Sequence, residues 1–312
     1  MSTIAANYTN LAIKGLQEPF KLALQTNLEQ YKANPFIKFY NTNEYSEIFS
    51  SLEGMTGFRS LGELETPDVL DLEQGYNITI TAGRNGGSLI VSEDTMVKAG
   101  DDTTKIDRYL MEQRNQLLKT ASKAIMDDAF YAYNHAFDTA STINAPDGLE
   151  LCATHVYNSG ATFVNETTGA LSETTIDAAW EYAGAFTDPE GKEDPLNWTA
   201  IMVKKGSAAA KKAIQMFASN INPTAVDDIN IYAGMLKVVE TPFISTANKA
   251  NWFLIDENYH ALGSPVVCGM VQIPTFKDPI TLENESIRSN VTGYWKTGIV
   301  RVPQNIFGST GE

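Results

Sequence analysis

The stretch TTKIDRYLMEQRNQLLKTASKAIMDDAFYAYNHAF, residues 103–137, contains neither glycine nor proline and repeats its apolar residues at helical spacing. Side chains three or four positions apart share one helix face, so the repeat predicts an amphipathic α-helix over 103–137. About 33 residues at 1.5 Å each give a helix of roughly 50 Å, which is long for a globular domain. We therefore expect a structural spine. The residues on its apolar face are Ile106, Leu110, Leu117, Ala121, Ile125, Ala129 and Tyr133.

The segment before this helix, residues 58–97, has the pattern of a long β-hairpin, with two strand-like runs on either side of a glycine-rich turn. Residues 76–81 alternate apolar and polar side chains, which is the period of a strand with one polar face. The glycine-rich stretch 83–87 predicts a turn, and residues 88–92 then run back as the second strand. Much of this predicted hairpin is too polar to be buried within one chain.

The N-terminal residues 1–57 are predicted to form an arm that contains one helix. Pro35 is expected to end that helix. An amphipathic helix at a terminus must bury its apolar stripe, either against its own domain or against a neighbouring subunit. The stripe consists of Leu16, Phe20, Leu24 and Leu28.

The rest of the chain indicates mixed helix and strand, which makes the predicted fold class α+β. A loop rich in glycine, asparagine and threonine spans 138–172, and short elements follow up to about 284. Ser172 and Ser207 stand where they would cap helices, and a polar tail follows Pro303. The predicted strands are Trp198–Lys204, Met235–Glu240, Trp252–Asp256, Pro265–Ile273 and Val291–Val302.

The net charge of −15 is concentrated in two blocks. Residues 51–97 carry two cations against eight carboxylates, and residues 138–200 carry one cation against eleven. Tight binding to duplex DNA needs a basic face, so that class of function is not expected. Ordinary solvation accounts for such acidity, and oppositely charged neighbours in an assembly are the alternative. Two cysteines suit a reducing cytoplasm, and neither a signal peptide nor a membrane span is expected.

Motifs of common enzyme classes are missing from the sequence, including nucleotide-binding glycine loops and the nucleophile elbow. Cys152 and His155 form one C-x-x-H pair, which supplies two of four zinc ligands. A buried thiol and a loop imidazole are therefore favoured over a metal site. Asp127 and Asp128 point about 100° apart on a helix, so a solvated face is favoured over a catalytic pair. We expect no catalytic residue, cofactor or metal.

Several short segments follow one another in a characteristic order: SLGELETPDVLDLEQGYNITI (60–80), SLIVSEDTM (88–96), AGDD (99–102), DGLELCATHVYNSG (147–160), LSETTIDAAWEYA (171–183), LNWTAIMVKKGSAAAKKAI (196–214) and NWFLIDENYHALG (251–263). In this order they resemble the major capsid proteins of tailed bacteriophages with the Hong Kong 97-type fold. Within that fold the sequence is most similar to the Mu-like major head subunit group. The resemblance covers about residues 50–305 and rests on order and spacing rather than on one motif.

The resemblance implies a division of the chain into named parts. These are an N-terminal arm (1–57), an extended β-hairpin loop (58–97), a peripheral domain (98–171) with the spine helix 103–137, an axial domain (172–284), and a return strand with a C-terminal tail (285–312). Hexamers and pentamers of this chain would then form an icosahedral virion shell in the host bacterial cytoplasm. A scaffolding protein, a portal protein and a decoration protein are its candidate partners, and packaged double-stranded DNA is contacted weakly.

Some relatives of this type are cross-linked through a lysine on the extended loop, whereas residues 56–97 contain no lysine. A non-covalent shell is therefore expected. The candidate intersubunit contact residues are Arg59, Glu63, Glu65 and Arg84. Three alternatives stay open: an encapsulin-like protein compartment of the same fold, an acidic cytoplasmic enzyme with an unrecognised site, and a phage tail component.

Overall fold

A computed structural model describes residues 9, 11–55, 60, 61, 65, 66, 72–99, 103–219, 230–261 and 263–312. Its helices are α1 (Gln17–Glu29), α2 (Glu93–Ala99), α3 (Thr103–Ala129), α4 (Tyr131–Asn134), α5 (Glu173–Gly184) and α6 (Ala208–Phe217). Its strands are β1 (Lys38–Asn41), β2 (Ser46–Met55), β3 (Leu72–Thr81), β4 (Gly83–Val91), β5 (Thr154–Val156), β6 (Thr162–Val164), β7 (Glu166–Thr167), β8 (Ala200–Lys204), β9 (Lys237–Thr241), β10 (Trp252–Ile255), β11 (Val266–Phe276), β12 (Ile280–Thr281), β13 (Ile287–Ile299) and β14 (Ile306–Ser309). No helix within these ranges is both long enough and apolar enough to cross a membrane.

The spine helix predicted over 103–137 begins at Thr103 but ends at Ala129 as α3, so the predicted length was too great. Its 27 residues correspond to about 40 Å. At Phe130 the backbone leaves helical geometry, with φ −91° and ψ 4°, and one further turn follows as α4. Phe130 is fully buried with its ring close to those of Tyr133 and Phe243, so tertiary packing ends the helix where periodicity predicts continuation.

The first sheet lies against α1 and α3 and has the strand order β1-β11-β13-β4, with short β12 beside β13. β11 and β13 are antiparallel, whereas β1 joins β11 in parallel. The predicted stripe of α1 is buried, and the Phe20 ring packs edge-on against Phe276 at 5.0 Å between centroids. The chain's own sheet therefore covers this helix, and α1 and β1 are part of the folded body rather than a free arm.

The predicted pairing of the hairpin over 58–97 is wrong. β3 pairs with β2, and β4 pairs with β13, so the stretch 83–87 continues a strand instead of turning. A Cβ atom at Gly86 would lie 2.5 Å from the Val291 carbonyl oxygen, so glycine there permits the close approach of β4 to β13. The glycines that predicted a turn serve strand packing.

The second sheet has the order β7-β14-β10-β8-β9 and is covered on both faces. Side chains along its strands enter two hydrophobic cores in alternation, because successive side chains of a strand point to opposite faces. Met202 and Phe253 belong to the core shared with α3 and the first sheet, whereas Val203 and Leu254 belong to the core under α5 and α6. Both faces of these strands are thus buried within the chain.

The domain boundaries predicted from sequence differ from the sheet memberships. β11, assigned to 172–284, pairs in the first sheet, and β14 returns to the second sheet although its residues were predicted as a polar tail. All four residues of β14 are buried. The helix caps, in contrast, are confirmed: the Ser172 and Ser207 hydroxyls accept backbone hydrogen bonds at 3.2 and 3.0 Å.

Candidate assembly surface

The antiparallel pair β2–β3, which we call the ribbon, is attached to the body differently from every other long strand among the described residues. Its strands pair only with each other in the described structure, from Ser46 opposite Thr81 to Met55 opposite Leu72. Ten residues at about 3.3 Å per residue give a length of roughly 33 Å. An isolated two-stranded ribbon is at best marginally stable in water, so its contacts with the body decide its position.

One apolar contact seats the base of the ribbon. Ile80 is buried in a small cluster with Val267 and Val300, and the Phe49 ring lies edge-on to Tyr40 at 6.5 Å between centroids. A Cβ atom at Gly298 would lie 2.4 Å from the Ile80 side chain. Glycine at position 298 therefore creates the space that Ile80 occupies.

A buried ion pair holds the same place. The Lys296 ammonium group, fully shielded from solvent, lies 2.8 Å from the Glu47 carboxylate, whose side chain is 25% exposed. Lys296 also donates to the Glu44 carbonyl oxygen at 3.0 Å, and the Tyr40 hydroxyl donates to Glu47 at 2.8 Å. Burial alone raises the pKa of Glu47, but the hydrogen bonds from Lys296 and Tyr40 and the charge of Lys296 bring the pKa below its ordinary value.

Further along, the pairing of the ribbon becomes irregular and the ribbon contacts the body a second time. The register shifts between Ser50 and Leu52, and the Ser51 hydroxyl donates to the Tyr76 carbonyl oxygen at this irregularity. The Asn158 amide donates to the Gln74 carbonyl oxygen at 3.0 Å. Tyr76 also packs against the core under α5 and α6, so the ribbon is held to the body here as well as at its base.

The outer face of the ribbon exposes a large apolar side chain, and the sequence of the ribbon segment is acidic. Ile48 is 69% exposed on the face opposite the Glu47 contact, and neighbouring Tyr45 is 54% exposed. From residue 46 to residue 81 the sequence has seven carboxylates, one arginine and no lysine. An exposed ribbon with open backbone edges and a large apolar side chain has the character of an interaction surface.

The structure describes two of the four sequence-predicted contact residues. Arg59 and Glu63 lie outside the described residues, and Glu65 is exposed. Arg84 is exposed on β4, where it stands opposite Tyr294 in the first sheet and not on the ribbon. Sequence analysis missed Lys296, and its only sequence signal is a cation that directly follows Tyr294 and Trp295 in β13.

The C-x-x-H pair is structural in its surroundings. Cys152 is a buried free thiol, and burial, together with the charges of Glu166 and Glu150, raises its pKa. His155 lies on β5 rather than in the predicted loop, with its ring Nδ1 2.8 Å from the Asp147 carboxylate. Within the described ranges, no group of three or more His, Cys, Asp or Glu side chains is arranged to hold a metal ion.

The predicted solvated face of the two adjacent aspartates is correct for one of them. Asp127 is exposed, whereas Asp128 accepts a hydrogen bond from the Trp295 indole at 2.7 Å. Asp128 therefore ties α3 to β13 beside the lysine that holds the ribbon.

No family model and no curated protein matches the chain. Solved structures do match over most of their length. The capsid of Myoviridae phage XM1 covers 91% of this chain and 92% of its own, with 11% identity and a TM-score of 0.54. The head structure of Helicobacter pylori bacteriophage KHP40 covers 88% and 87%, with 11% identity and a TM-score of 0.51.

The fold is that of phage capsid proteins. The acid-stable capsid of Helicobacter pylori bacteriophage KHP30 is similar to the same degree, with a TM-score of 0.50, 11% identity, and coverage of 88% of this chain and 86% of the other. At this level of identity the likeness concerns the fold alone. The mixed helix and sheet expected from sequence is confirmed.

Proposed function

We propose that this chain is the major capsid protein of a tailed bacteriophage, with the Hong Kong 97-type fold and nearest to the Mu-like major head subunit group. The observation that carries the proposal is the shared fold with phage capsids over about nine tenths of both chains. In this proposal the protein is a structural subunit without a catalytic role. It assembles into hexamers and pentamers of an icosahedral shell around double-stranded DNA.

The ribbon supports this proposal independently of the fold comparison. Its strands pair only with each other in the described structure, and it exposes Ile48 on its outer face. A surface of this kind is costly in a monomer and becomes favourable when a neighbouring subunit covers it. We therefore redraw the proposed extended loop from 58–97 to 46–81, and we retain the terms peripheral and axial domain for the regions around α3 and around α5 and α6.

We further propose that the shell is non-covalent. The redrawn loop 46–81, like the originally predicted one, contains no lysine that could form an isopeptide bond. In particles boiled in denaturant, this chain should migrate as one band near 34.2 kDa. Covalent ladders on the gel would exclude this part of the proposal while leaving the shell itself intact.

Electron microscopy of the purified protein tests the central proposal. Closed particles with nuclease-protected DNA from infected cells support a virion shell, assembled in the host cytoplasm with scaffolding, portal and decoration proteins as separate partners. Particles of the same fold that enclose a protein cargo instead point to an encapsulin-like compartment, and tubes or rings point to a tail component. A monomer or small oligomer under all conditions of concentration and salt excludes a shell and reopens the enzyme alternative.

Contact with DNA is expected to be weak because the chain carries 38 carboxylates against 23 cations. Isolated subunits should not shift duplex DNA in a gel at physiological salt, since a net charge of −15 disfavours contact with phosphates. A tight complex under those conditions would contradict this expectation.

A further inference from the structure

A cavity of about 240 Å³ opens where the ribbon meets the loops around the second sheet. Ser51 of the ribbon forms one wall, and Tyr157, Tyr259, His260, Arg301 and Gln304 line the others. The volume corresponds to several water molecules at about 30 Å³ each, which is ample for the end of one side chain.

Arg301 is largely buried in this cavity, which Asp188 and Asp194 also line. Its guanidinium donates to the Gly263 carbonyl oxygen, while its Nε atom is buried and has no hydrogen-bond partner. No ion pair joins it to a carboxylate of the described residues. Burial lowers the pKa of Arg301 to about 10. Buried charges are normally paired, and this guanidinium forms no direct ion pair within the described residues.

The two aspartates that also line the cavity already have other partners. Asp194 accepts from the Tyr259 hydroxyl, and Asp188 accepts from the backbone N–H groups of Glu190 and Lys192 at 3.0 and 2.8 Å. Neither aspartate forms an ion pair with Arg301. The Arg301 guanidinium therefore has no carboxylate partner among the described residues.

Hydrogen bonds keep His260, which also lines the cavity, in its neutral form. Tyr157 donates to the Gln304 carbonyl oxygen at 2.6 Å, which turns the Gln304 amide nitrogen toward His260 Nε2 at 2.7 Å. An amide nitrogen only donates, so the imidazole nitrogen accepts and His260 is uncharged. Burial, with a smaller contribution from Arg301, lowers the pKa of His260 to about 3, which keeps the imidazole neutral at physiological pH.

We propose that this cavity binds a carboxylate group on the guanidinium of Arg301, and that an acidic side chain of a second copy of the chain supplies it. A guanidinium matches a carboxylate with two parallel N–H···O bonds, which a lysine cannot reproduce. The chain offers 38 carboxylates per copy, and the cavity opens beside the ribbon. The second half of this proposal rests on the proposed shell, whereas the carboxylate site itself does not.

The carboxylate site is tested on unassembled subunits by NMR of the arginine Nε–H groups. Arg301→Lys identifies the Arg301 signal by its loss. Sodium acetate is then titrated against sodium chloride at equal ionic strength, with thermal midpoints measured in parallel. We expect a saturating shift of the Arg301 signal and a midpoint raised by acetate, with the acetate affinity about tenfold weaker in Arg301→Lys.

Arg288→Lys is the matched control, because the Nε atom of Arg288 is also buried without a partner but lies on β13 outside this cavity. It should leave acetate binding unchanged. An Arg301 signal that responds to acetate no more than to chloride overturns the carboxylate site.

The source of the carboxylate is tested in assembled particles by electron cryo-microscopy. An acidic side chain of a neighbouring copy within hydrogen-bond distance of Arg301 supports the second copy. Acetate binding in the subunit together with a cavity that no neighbour enters overturns that source and leaves a site for a free carboxylate. If no shell forms at all, the acetate titration still decides the site, so failure of the shell and failure of the site are separate results.

Discussion

The second sheet and the ribbon differ in how much of their surface the chain itself covers. Strands β8 and β10 are buried on both faces, between the core shared with α3 and the core under α5 and α6. The ribbon joins neither sheet, and its described residues contact the body around Ile80, at the Lys296–Glu47 pair and through Tyr76. The sheet thus obtains its stability within one subunit, whereas the ribbon has a position but little stability of its own. Mutations in the two regions should therefore affect different observables.

The largest loss of folding stability is expected in the second sheet. Phe253 is fully buried with its ring against those of Tyr133 and Phe137, so Phe253→Ala leaves a cavity between α4 and β10. We expect the free energy of unfolding to fall by about 3–5 kcal/mol, measured by urea denaturation followed by circular dichroism. Ile231→Ala, at a side chain that is 74% exposed, is the control and should change it by less than about 0.5 kcal/mol. Equal losses in both variants would contradict the burial assigned to this sheet.

A smaller and more local loss is expected at the seat of the ribbon. Lys296→Met removes the cation but leaves the Glu47 carboxylate and the Glu44 carbonyl without it. Because Glu47 is partly exposed, we expect a loss of about 1–3 kcal/mol, below that of a fully buried pair. Amide hydrogen exchange should accelerate in β2 and β3 and remain slow in β8 and β10.

Lys205→Met is the control for this variant, since Lys205 is an exposed cation next to β8. It should leave exchange in both regions unchanged. Acceleration spread evenly over both sheets in Lys296→Met would show that the ion pair supports the whole fold and not the ribbon.

Acid should loosen the ribbon by the same route. The folded-state pKa of Glu47 is lowered, so its contribution is fully present above the unfolded carboxyl pKa of about 4.3 and is lost as pH falls through the lower folded value. Hydrogen exchange at the ribbon base, corrected for intrinsic rates, should therefore rise between neutral pH and pH of about 3.5. Glu47→Gln should remove most of this pH dependence.

The acid response must be measured at the ribbon itself, because global stability also falls in acid for another reason. Asp147 also has a lowered pKa, since its hydrogen bond and charge interaction with His155 outweigh burial, and it contributes an acid loss of the same sign in the body. A ribbon that responds to acid identically in Glu47→Gln and in the parent chain would exclude Glu47 as the responsible group.

Local signals in the sequence predicted what local physics determines. The caps at Ser172 and Ser207 and the strands β8, β10 and β13 follow from side-chain chemistry and periodicity over a few residues. Which strands pair with each other could not be predicted from these local signals. Periodicity identified β3 as a strand, but its pairing with β2 and not β4 depends on contacts from β13, more than two hundred residues away.

The candidate surface was missed for a similar reason. Lys296 is an unremarkable cation in the sequence, and it becomes important only because β13 places it under Glu47 and Tyr40. The glycines at 269 and 298 likewise have no local role, but added Cβ atoms there would collide with Tyr40 and Ile80. The roles of these residues depend on packing between segments that are far apart in the sequence.

The smallest effect on folding and the sharpest effect on assembly are expected at Ile48. Because its side chain is 69% exposed, Ile48→Ser should change the free energy of unfolding by less than about 0.5 kcal/mol. If a neighbouring subunit covers this side chain in the proposed shell, the lost burial is worth about 1.4 kcal/mol per contact, or a tenfold higher concentration for assembly. Light scattering measures that threshold. Ile280→Ser, at an isoleucine that is 46% exposed on β12, is the matched control and should leave the threshold unchanged. Equal thresholds for both variants would mean that the ribbon's outer face remains in solvent after assembly, and that its contacts are made through its open edges instead.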